Sequence, residues 1–133
     1  MQRHCKNGKI IATFLKTHPK VDKVYCPGFK EHPNHLIAKK QMRDYGGMIS
    51  FSLNGNSKED VFKLVSTFKI FKLAQSLGGV ESLTCHPATL THAPIPRIER
   101  EKSGIVESLI PLSVGVENIH DLIEDLDSAL KLI

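Results

Sequence analysis

Proline and glycine divide this chain into short segments, and that division restricts its fold more than any other feature of the sequence. Pro19, the pair Pro27-Gly28 and the pair Gly46-Gly47 each follow a run with apolar residues at regular spacing. The longest strongly apolar stretches, such as residues 109–116, stay far below the roughly 20 residues that a membrane-spanning helix needs. We therefore expect short helices and strands around one core, and no membrane partner.

Within these segments the spacing of apolar residues alternates between the helical and the extended period. This spacing predicts helices over about 7–17, over about 34–44, from Ser57 onward and over 118–131. It predicts strands over 21–25, 48–53, about 68–74 and 109–116. Between these elements we expect a turn over 54–56 and a long loop over 84–104. Asn7 and Asn118 are candidate N-caps of the first and last helices. About four strands pack most economically as one mainly antiparallel sheet with helices on one face. We therefore expect an α/β (α+β) fold in a single domain over 1–133.

The composition sets bounds on size and compartment. Of the 133 residues, 41% are hydrophobic, which is enough to bury a core. The three cysteines, Cys5, Cys26 and Cys85, are an odd number without a C-x-x-C pair. Neither a disulfide framework nor a cysteine zinc site is indicated, and a reducing compartment suits them. The first eight residues are basic but do not lead into the apolar region of a signal peptide, so we expect a cytoplasmic location.

The net charge of +4 conceals a strong asymmetry along the chain. Residues 1–43 carry ten Lys or Arg against two acids, residues 44–96 carry four against four, and residues 97–133 carry four against eight. A basic first third can indicate a nucleic-acid surface, but here the lysines are scattered and no aromatic platform interleaves with them. We therefore expect no nucleic-acid partner.

Two groups with histidine could carry chemistry, and for each an ordinary structural role is the better interpretation. His32 and His35 could share a metal ion, but the proline between them favours an extended or turn geometry and no third ligand lies nearby in the sequence. Cys85 could act as a thiolate with His86 or His92 as its base. Adjacent residues of an extended chain point to opposite faces, so Cys85 and His86 are poorly placed for that pair.

The most unusual local string is Ser76-Leu77-Gly78-Gly79, because paired glycines let a backbone approach a ligand or another chain closely. It matches neither the G-x-x-x-x-G-K-[ST] nor the G-x-G-x-x-G phosphate loop. Spacing alone favours a tight exit from a strand. The charge run over 99–102 is interpreted as a solvated turn.

Several long motifs, in order, resemble one known enzyme family. They are the runs 73–83, 86–93 and 109–117, together with 18–21, 25–28, 32–35, 46–51 and 121–126. They resemble the C-terminal domain of the cysteine/methionine-metabolism enzymes that use pyridoxal phosphate. This family includes cystathionine gamma-synthase, cystathionine gamma-lyase and methionine gamma-lyase. The resemblance covers essentially the whole chain and implies the small C-terminal domain of an aminotransferase-like fold.

The resemblance implies roles for three positions. Ser76 matches the serine of the family's A-x-S-L-G-G motif, which lies beside the carboxylate end of the substrate. Gln75 stands where the cystathionine enzymes typically have a glutamate that helps to read the substrate, so a charge is missing. Pro111 occupies the position of the arginine that binds the substrate α-carboxylate. Proline offers no donor for that contact, and we predict that this position is non-functional. Proline also removes a backbone donor from a predicted interior strand.

Two further features of the family have no match in these residues. In the family a lysine in an S-x-T-K-like motif holds the cofactor as a Schiff base, and no lysine here has that context. The residues that bind the cofactor phosphate and stack on its ring belong to the family's large domain. We therefore expect a truncated chain that resembles the substrate-recognition domain only, without the large cofactor-binding domain. We expect it to contribute no catalytic residue and to bind neither cofactor nor metal by itself.

The parent enzyme implied by the resemblance is a lyase or transferase of transsulfuration, of the cystathionine gamma-synthase or gamma-lyase type. It would use pyridoxal phosphate for gamma-elimination or gamma-replacement on sulfur amino acids or homoserine esters. Whether this chain is itself an enzyme stays open, because the isolated chain is expected to be inactive. The alternative is a non-catalytic remnant that associates with a full-length homologue as an interaction or regulatory domain. An uncovered apolar face also favours a homo-oligomer.

Overall fold

Short helices alternate with short strands in a computed structural model, which describes residues 1–55 and 57–133. The part of the predicted turn at Asn56 lies outside the described residues. The elements are α1 (Gln2–Thr17), β1 (Val21–Tyr25), α2 (His35–Gln41), β2 (Met48–Leu53), α3 (Lys58–Thr67), β3 (Lys72–Leu73), β4 (Leu83–Thr84), α4 (Arg97–Lys102), β5 (Leu109–Ser113) and α5 (Ile119–Leu130).

Two helices begin at side-chain caps, of which the cap at Asn118 was predicted. The Ser57 hydroxyl accepts from the Asp60 N–H at the start of α3, and the Asn118 carboxamide oxygen accepts from the His120 N–H at the start of α5. The prediction that Asn7 caps the first helix is wrong, because α1 begins at Gln2. Asn7 is instead buried inside α1 and uses its side chain for tertiary hydrogen bonds.

The described strands form one sheet in the order β1-β2-β5-β4-β3. Neighbouring strands are antiparallel except for β3 and β4, which are parallel. The α/β class is confirmed, but the sheet has five strands where about four were predicted. The additional strand, β4, begins at Leu83, runs into the predicted loop over 84–104 and is two residues long. Two residues are too few to show the alternation by which strands are recognised in a sequence.

The strand predicted over about 68–74 shrinks to Lys72–Leu73 for a specific reason. The backbone N–H groups of residues 69–71 donate to the Asp125 carboxylate on α5, at 2.8, 2.9 and 3.1 Å. Because these donors are already occupied by a side chain, that stretch does not join a strand ladder. Asp125 therefore ties the entry into β3 to the last helix.

The core lies between the sheet and its three longest helices, as predicted for a sheet covered on one face. The buried cluster combines alternate residues of the two central strands with the inward faces of α1, α3 and α5. Its members include Ile49, Phe51, Leu53, Ile110, Leu112 and Val114 from the sheet segments, and Ile11, Leu15, Val61, Leu64, Leu122 and Leu126 from the helices. The intervening residues of the strands, such as Ser50, Pro111 and Ser113, therefore face away from these helices.

Among the described residues, no helix is both long enough and apolar enough to cross a membrane.

The charge run over 99–102 is part of α4 and is not the solvated turn that was predicted. Arg100 is 8% exposed, and its guanidinium donates to the carbonyls of Ala88 and Ile95 and to the Glu107 carboxylate. A buried ion pair of this kind costs several kcal/mol to break when one partner is removed, about 3–5 kcal/mol. Arg100 thus fixes the path of the long segment between β4 and β5.

Candidate functional site

The unusual glycine pair lies in a loop that leaves the edge strand β3. The Ala74 N–H donates to the Thr84 carbonyl at 2.8 Å, which extends the pairing of β3 with β4 by one residue. Beyond this point Gln75 and Ser76 are exposed. The chain then turns at Gly78, whose φ of +100° is a conformation that side chains rarely adopt. The strand exit predicted from the glycines is therefore present, and it presents Ser76 to solvent.

A hydrogen bond holds this loop against the central strand β5. The Gly78 N–H donates to the Ser113 hydroxyl at 2.9 Å, and Ser113 is fully buried. Ser113 lies two residues after Pro111 and therefore faces the same side of the sheet. The structure thus brings the loop that carries Ser76 to the strand that carries Pro111. Nothing in the sequence pattern marked Ser113, because a serine in an apolar run shows no partner until the loop is placed.

Strand register places both segments at one end of the sheet. Leu73, Thr84 and Leu112 lie in one row across β3, β4 and β5. β3 runs parallel to β4, and β5 runs antiparallel to β4. The residues after Leu73 and the residue before Leu112 therefore lie on the same side of this row. Gln75, Ser76 and Pro111 are therefore grouped at this end of the sheet.

Pro111 lies in the interior strand β5, between β2 and β4. Two backbone hydrogen bonds join this segment to β2, from the Leu53 N–H to the Ser108 carbonyl and from the Val114 N–H to the Gly47 carbonyl. The backbone N–H and carbonyl groups of the even-numbered residues therefore point toward β2. The backbone groups of the odd-numbered residues point toward β4. On that side the Pro111 carbonyl accepts a hydrogen bond from the Thr84 hydroxyl at 3.0 Å. The Pro111 nitrogen also faces the β4 side but carries no hydrogen, and the pairing of β5 with β4 stops at Leu112 and Thr84, next to Pro111. The missing donor predicted for this interior strand therefore coincides with the end of the β4 ladder.

A second set of bonds anchors the far end of the glycine loop. The Glu117 carboxylate accepts from the Ser82 N–H at 2.6 Å and from the Ser82 hydroxyl at 2.9 Å. The Gly115 N–H donates to the Ser82 hydroxyl at 2.9 Å, and the Val116 N–H donates to the Val80 carbonyl at 3.0 Å. Ser82 is fully buried. The loop is consequently fixed at one end to the last residue of β5 and at the other end to the segment that follows this strand.

Helix α1 supports the same segment from the other side. The Asn7 carboxamide donates to the carbonyls of Gly115 and Glu117, at 3.1 and 3.0 Å. A buried carboxamide that lost these acceptors would leave unsatisfied polar groups, each costing about 1–3 kcal/mol. Asn7 therefore has a positioning role that sequence reasoning missed, because the partners are more than 100 residues away.

Replacement of Gly115 with alanine is expected to lower the free energy of unfolding by about 1–3 kcal/mol. A Cβ at this position would lie 2.6 Å from the Val80 carbonyl oxygen and 2.6 Å from the Glu81 carbonyl carbon, which are backbone atoms. Gly79→Ala is the matched control, because a Cβ there meets its nearest atoms at the ordinary distance of 3.8 Å. Urea denaturation of the two variants measures the difference. Equal stability of both would contradict the close approach at Gly115.

Two of the arginines are engaged elsewhere and do not replace an arginine at position 111. Arg100 binds Glu107, as described above, and Arg97 Nε donates to the Glu101 carboxylate at 2.8 Å. The hydrogen bond and charge of Glu101 raise the pKa of the Arg97 guanidinium, which stays a cation. Both guanidinium groups thus already have carboxylate partners within this chain.

The residues of this chain do not fit pyridoxal phosphate by themselves. All fourteen lysines lie within the described residues, and all of them are exposed. A lysine that forms a Schiff base is usually activated by burial or by a neighbouring cation in an enclosed pocket. None of these lysines is buried, so none has the burial that activates a Schiff-base lysine.

Cys85 and His86 have the environment of structural residues. Burial raises the pKa of the Cys85 thiol, which disfavours the thiolate needed for nucleophilic attack. His86 is 1% exposed, and its Nε2 lies 2.8 Å from the Glu107 carbonyl. A carbonyl only accepts, so Nε2 donates to it, and Nδ1 lies 2.8 Å from the Thr89 hydroxyl oxygen. Both ring nitrogens of His86 are therefore used to hold the segment after β4.

The two histidines near α2 also bond to the backbone. His35 Nδ1 donates to the Pro27 carbonyl at 2.8 Å, and His32 Nδ1 accepts from the Asn34 N–H at 3.2 Å. Within residues 1–55 and 57–133, no group of three or more His, Cys, Asp or Glu side chains is arranged to hold a metal ion.

Comparison with known proteins shows a close likeness over nearly all of the chain. A sequence model of the family described as Cys/Met metabolism PLP-dependent enzyme matches residues 1–131. L-methionine gamma-lyase of Fusobacterium nucleatum subsp. polymorphum is 50% identical over 133 residues, which is 100% of this chain and 33% of that protein. Cystathionine beta-lyase of Coxiella burnetii is 54% identical over 130 residues, which is 98% of this chain and 33% of that protein.

Solved structures show the same likeness in three dimensions. Cystathionine gamma synthase from Xanthomonas oryzae pv. oryzae, crystallised in complex with aminoacrylate and cysteine, matches with a TM-score of 0.92 at 41% identity. The match covers 98% of this chain and 34% of that one. The chain therefore spans about a third of the length of the proteins that it matches.

Proposed function

This chain belongs to the Cys/Met metabolism PLP-dependent enzymes, and we propose that it forms the substrate-facing C-terminal part of a transsulfuration enzyme. The reaction of that enzyme would be gamma-elimination or gamma-replacement on a sulfur amino acid or a homoserine ester. Pyridoxal phosphate, when bound by residues outside this chain, would supply the stabilisation of the carbanion. This chain would contribute recognition of the amino-acid substrate.

The observation that carries this proposal is the fixed loop beside β5. The Gly78–Ser113 hydrogen bond and the Ser82–Glu117 bonds hold the loop at both ends, so Ser76 is exposed on a rigid support. A hydroxyl on such a support can donate to a carboxylate without first ordering its own backbone. This geometry supports the role of Ser76 at the carboxylate end of the substrate.

The neighbouring positions weaken that recognition. Gln75 is exposed beside Ser76 and carries an amide where a charge is expected in the cystathionine enzymes. Pro111 is half-buried and provides neither a side-chain donor nor a backbone N–H to a carboxylate. We therefore propose that the chain as it stands supports little or no turnover, with Ser76 as its main polar contact to the substrate and Gln75 as a weaker one.

Joining this chain to the preceding part of a relative tests the proposal. The natural choice is the Fusobacterium L-methionine gamma-lyase, because this chain aligns with it over all 133 residues. The joined protein is expected to fold and to retain pyridoxal phosphate, as seen in its visible absorbance. The unmodified relative is the control. A joined protein that remained insoluble or lost the cofactor would show that this chain cannot serve as the C-terminal part.

The chain alone is expected to form no specific covalent adduct with pyridoxal phosphate. Its lysines are all exposed, so they should react weakly and without preference for one site. The measurement is borohydride reduction of a mixture of chain and cofactor, followed by mass spectrometry of peptides. Modification should be spread over several lysines at well below one group per chain. A stoichiometric adduct on a single lysine would overturn this expectation.

A second candidate function is association with a full-length homologue as an interaction or regulatory domain. An exposed apolar patch next to the glycine loop favours it. Val80 is 77% exposed and hydrogen-bonded to Val116, which is 44% exposed, and Met48 pairs with Ser113 on the same part of the sheet. Exposed apolar groups in one place favour association with another protein surface.

Size-exclusion chromatography with and without a full-length homologue tests this second function, because a remnant of this kind should co-elute with the homologue.

A further inference from the structure

The dipeptide Asn-Gly occurs twice in this chain, in two opposite environments. Asn7-Gly8 lies inside helix α1, whereas Asn54-Gly55 lies in the turn that follows strand β2. This dipeptide is reactive because glycine has no Cβ that would hinder the approach of its nitrogen to the preceding carboxamide. The two sites therefore have the same local chemistry, and the fold distinguishes them.

The turn leaves the second dipeptide open to reaction. Asn54 and Gly55 are both exposed, and a Cβ on Gly55 would meet no atom of a residue beyond its chain neighbours within 4 Å. Gly55 has a φ of +80°, and in the part of the chain that the structure describes its N–H donates no hydrogen bond. The nitrogen of Gly55 is therefore not held by another described residue.

Helix α1 protects the first dipeptide. Asn7 is 2% exposed, and its carboxamide donates to the carbonyls of Gly115 and Glu117. Within the helix the Gly8 N–H donates to the carbonyl four residues earlier, as in any α-helix. A Cβ on Gly8 would lie 2.7 Å from the Gly46 carbonyl oxygen, so the backbone is closely packed there. Reaction at Asn7 therefore requires that α1 open first.

We propose that Asn54 is a site of spontaneous deamidation in the folded chain and that Asn7 is protected from it. The Gly55 nitrogen forms a bond to the side-chain carbon Cγ of Asn54, and the bond from Cγ to Nδ2 breaks. Nδ2 leaves as ammonia, with the proton of the Gly55 N–H. One water molecule then opens the cyclic imide at either of its carbonyls, which gives aspartate or isoaspartate. Water is the only co-reactant, and each event adds one negative charge to the chain.

The reaction would remove one of the two bonds that join this turn to the turn between α1 and β1. The Asn54 N–H donates to the Lys20 carbonyl at 3.0 Å, and the Asn54 carboxamide donates to the Pro19 carbonyl. A carboxylate cannot donate, so the product loses the bond to Pro19. The same bond restrains the side chain before it reacts. We therefore expect Asn54 to react more slowly in the folded chain than in the unfolded chain.

Incubation of the folded 133-residue chain in buffer, followed over time by peptide mass spectrometry, tests the proposal. Fragmentation of the peptides assigns each conversion of a carboxamide to a carboxylate to its residue, and Asn54→Asp supplies the standard for one product. Asn54 should react more than about tenfold faster than Asn7, because a buried helix opens less often than an exposed turn. Equal rates at the two sites, or faster reaction at Asn7, would overturn the proposal.

The same incubation in urea separates the effect of the fold from that of the local sequence. In the unfolded chain Asn7 and Asn54 should react at similar rates, because glycine follows both. Asn54→Gln is the matched variant, since it keeps the carboxamide but would need a larger ring. It should abolish the reaction at position 54 and leave that of Asn7 in urea unchanged. Protection of Asn7 that persisted in urea would show that neighbouring residues, and not the fold, distinguish the two sites.

Discussion

Pro111→Arg is expected to raise kcat/KM by roughly two to three orders of magnitude when this chain is joined to the preceding part of a full-length relative. A side chain at position 111 leaves the sheet on the face opposite the helices, as Ser113 does, and Ser113 holds the loop that carries Ser76. An arginine there would point toward that loop and could bind a carboxylate through two parallel hydrogen bonds. Removing one partner of a desolvated charge pair costs about 3–5 kcal/mol, and each 1.4 kcal/mol is about tenfold.

The strand should accept this substitution without loss of stability. The pairing of β5 with β4 stops at Leu112 and Thr84, so an N–H added at residue 111 breaks no existing ladder bond. The measurement is a steady-state assay of the two joined proteins on the same amino-acid substrate, with thermal melting as the folding control. Ser76→Ala in the arginine background should lower activity again. Equal activity with proline and arginine would show that the substrate carboxylate is bound elsewhere.

Asp125→Ala is expected to lower the free energy of unfolding by about 3–5 kcal/mol. The carboxylate of Asp125 is 7% exposed and accepts from three successive backbone N–H groups, those of residues 69–71. Alanine would leave these donors in a partly buried place without an acceptor, and each unsatisfied group costs about 1–3 kcal/mol. A loss of that size is a large part of the total stability of a domain this small.

Asp121→Ala is the matched control, because Asp121 is an exposed acid one turn earlier on the same helix. It should change the stability by less than about 0.5–1 kcal/mol, the range of a favourable charge in the first turn of a helix. Asp125→Asn should fall between the two, because a carboxamide keeps one acceptor oxygen but loses the charge. Chemical denaturation of the three variants measures these differences. A small effect of Asp125→Ala would show that the chain at residues 69–71 finds other acceptors.

The local sequence predicted those elements whose pattern is long enough to be recognised. The helix over 118–131 is found at Ile119–Leu130, and the strands over 21–25 and 48–53 are found at the same residues. The helix and the second of these strands have several apolar residues at one period, and the first strand is bounded by Pro19 and by Pro27-Gly28. The two-residue strand β4 and the six-residue helix α4 were missed, because each contains fewer than two full repeats of its period.

Long-range polar partners account for the other errors. Asn7 was interpreted as a cap because caps depend on nearest neighbours, yet its carboxamide bonds to residues 108 and 110 positions away. Arg100 was assigned to solvent because its neighbours in the chain are charged, yet its guanidinium binds residues on both sides of α4. A polar side chain looks the same in a sequence whether its partner is water or a distant carbonyl.

The sequence by itself determined the family, the alternation of helices and strands, and the identities at the three positions of the candidate site. These follow from the spacing of apolar residues and from motifs, which are properties of neighbouring residues. Only the tertiary structure decided that the Ser76 loop rests on Ser113, that Pro111 falls where β4 has ended, and that Asn7 bonds to the segment after β5. The physical reason is that each of these facts joins segments far apart in the chain, whose distance is set by strand register and helix packing.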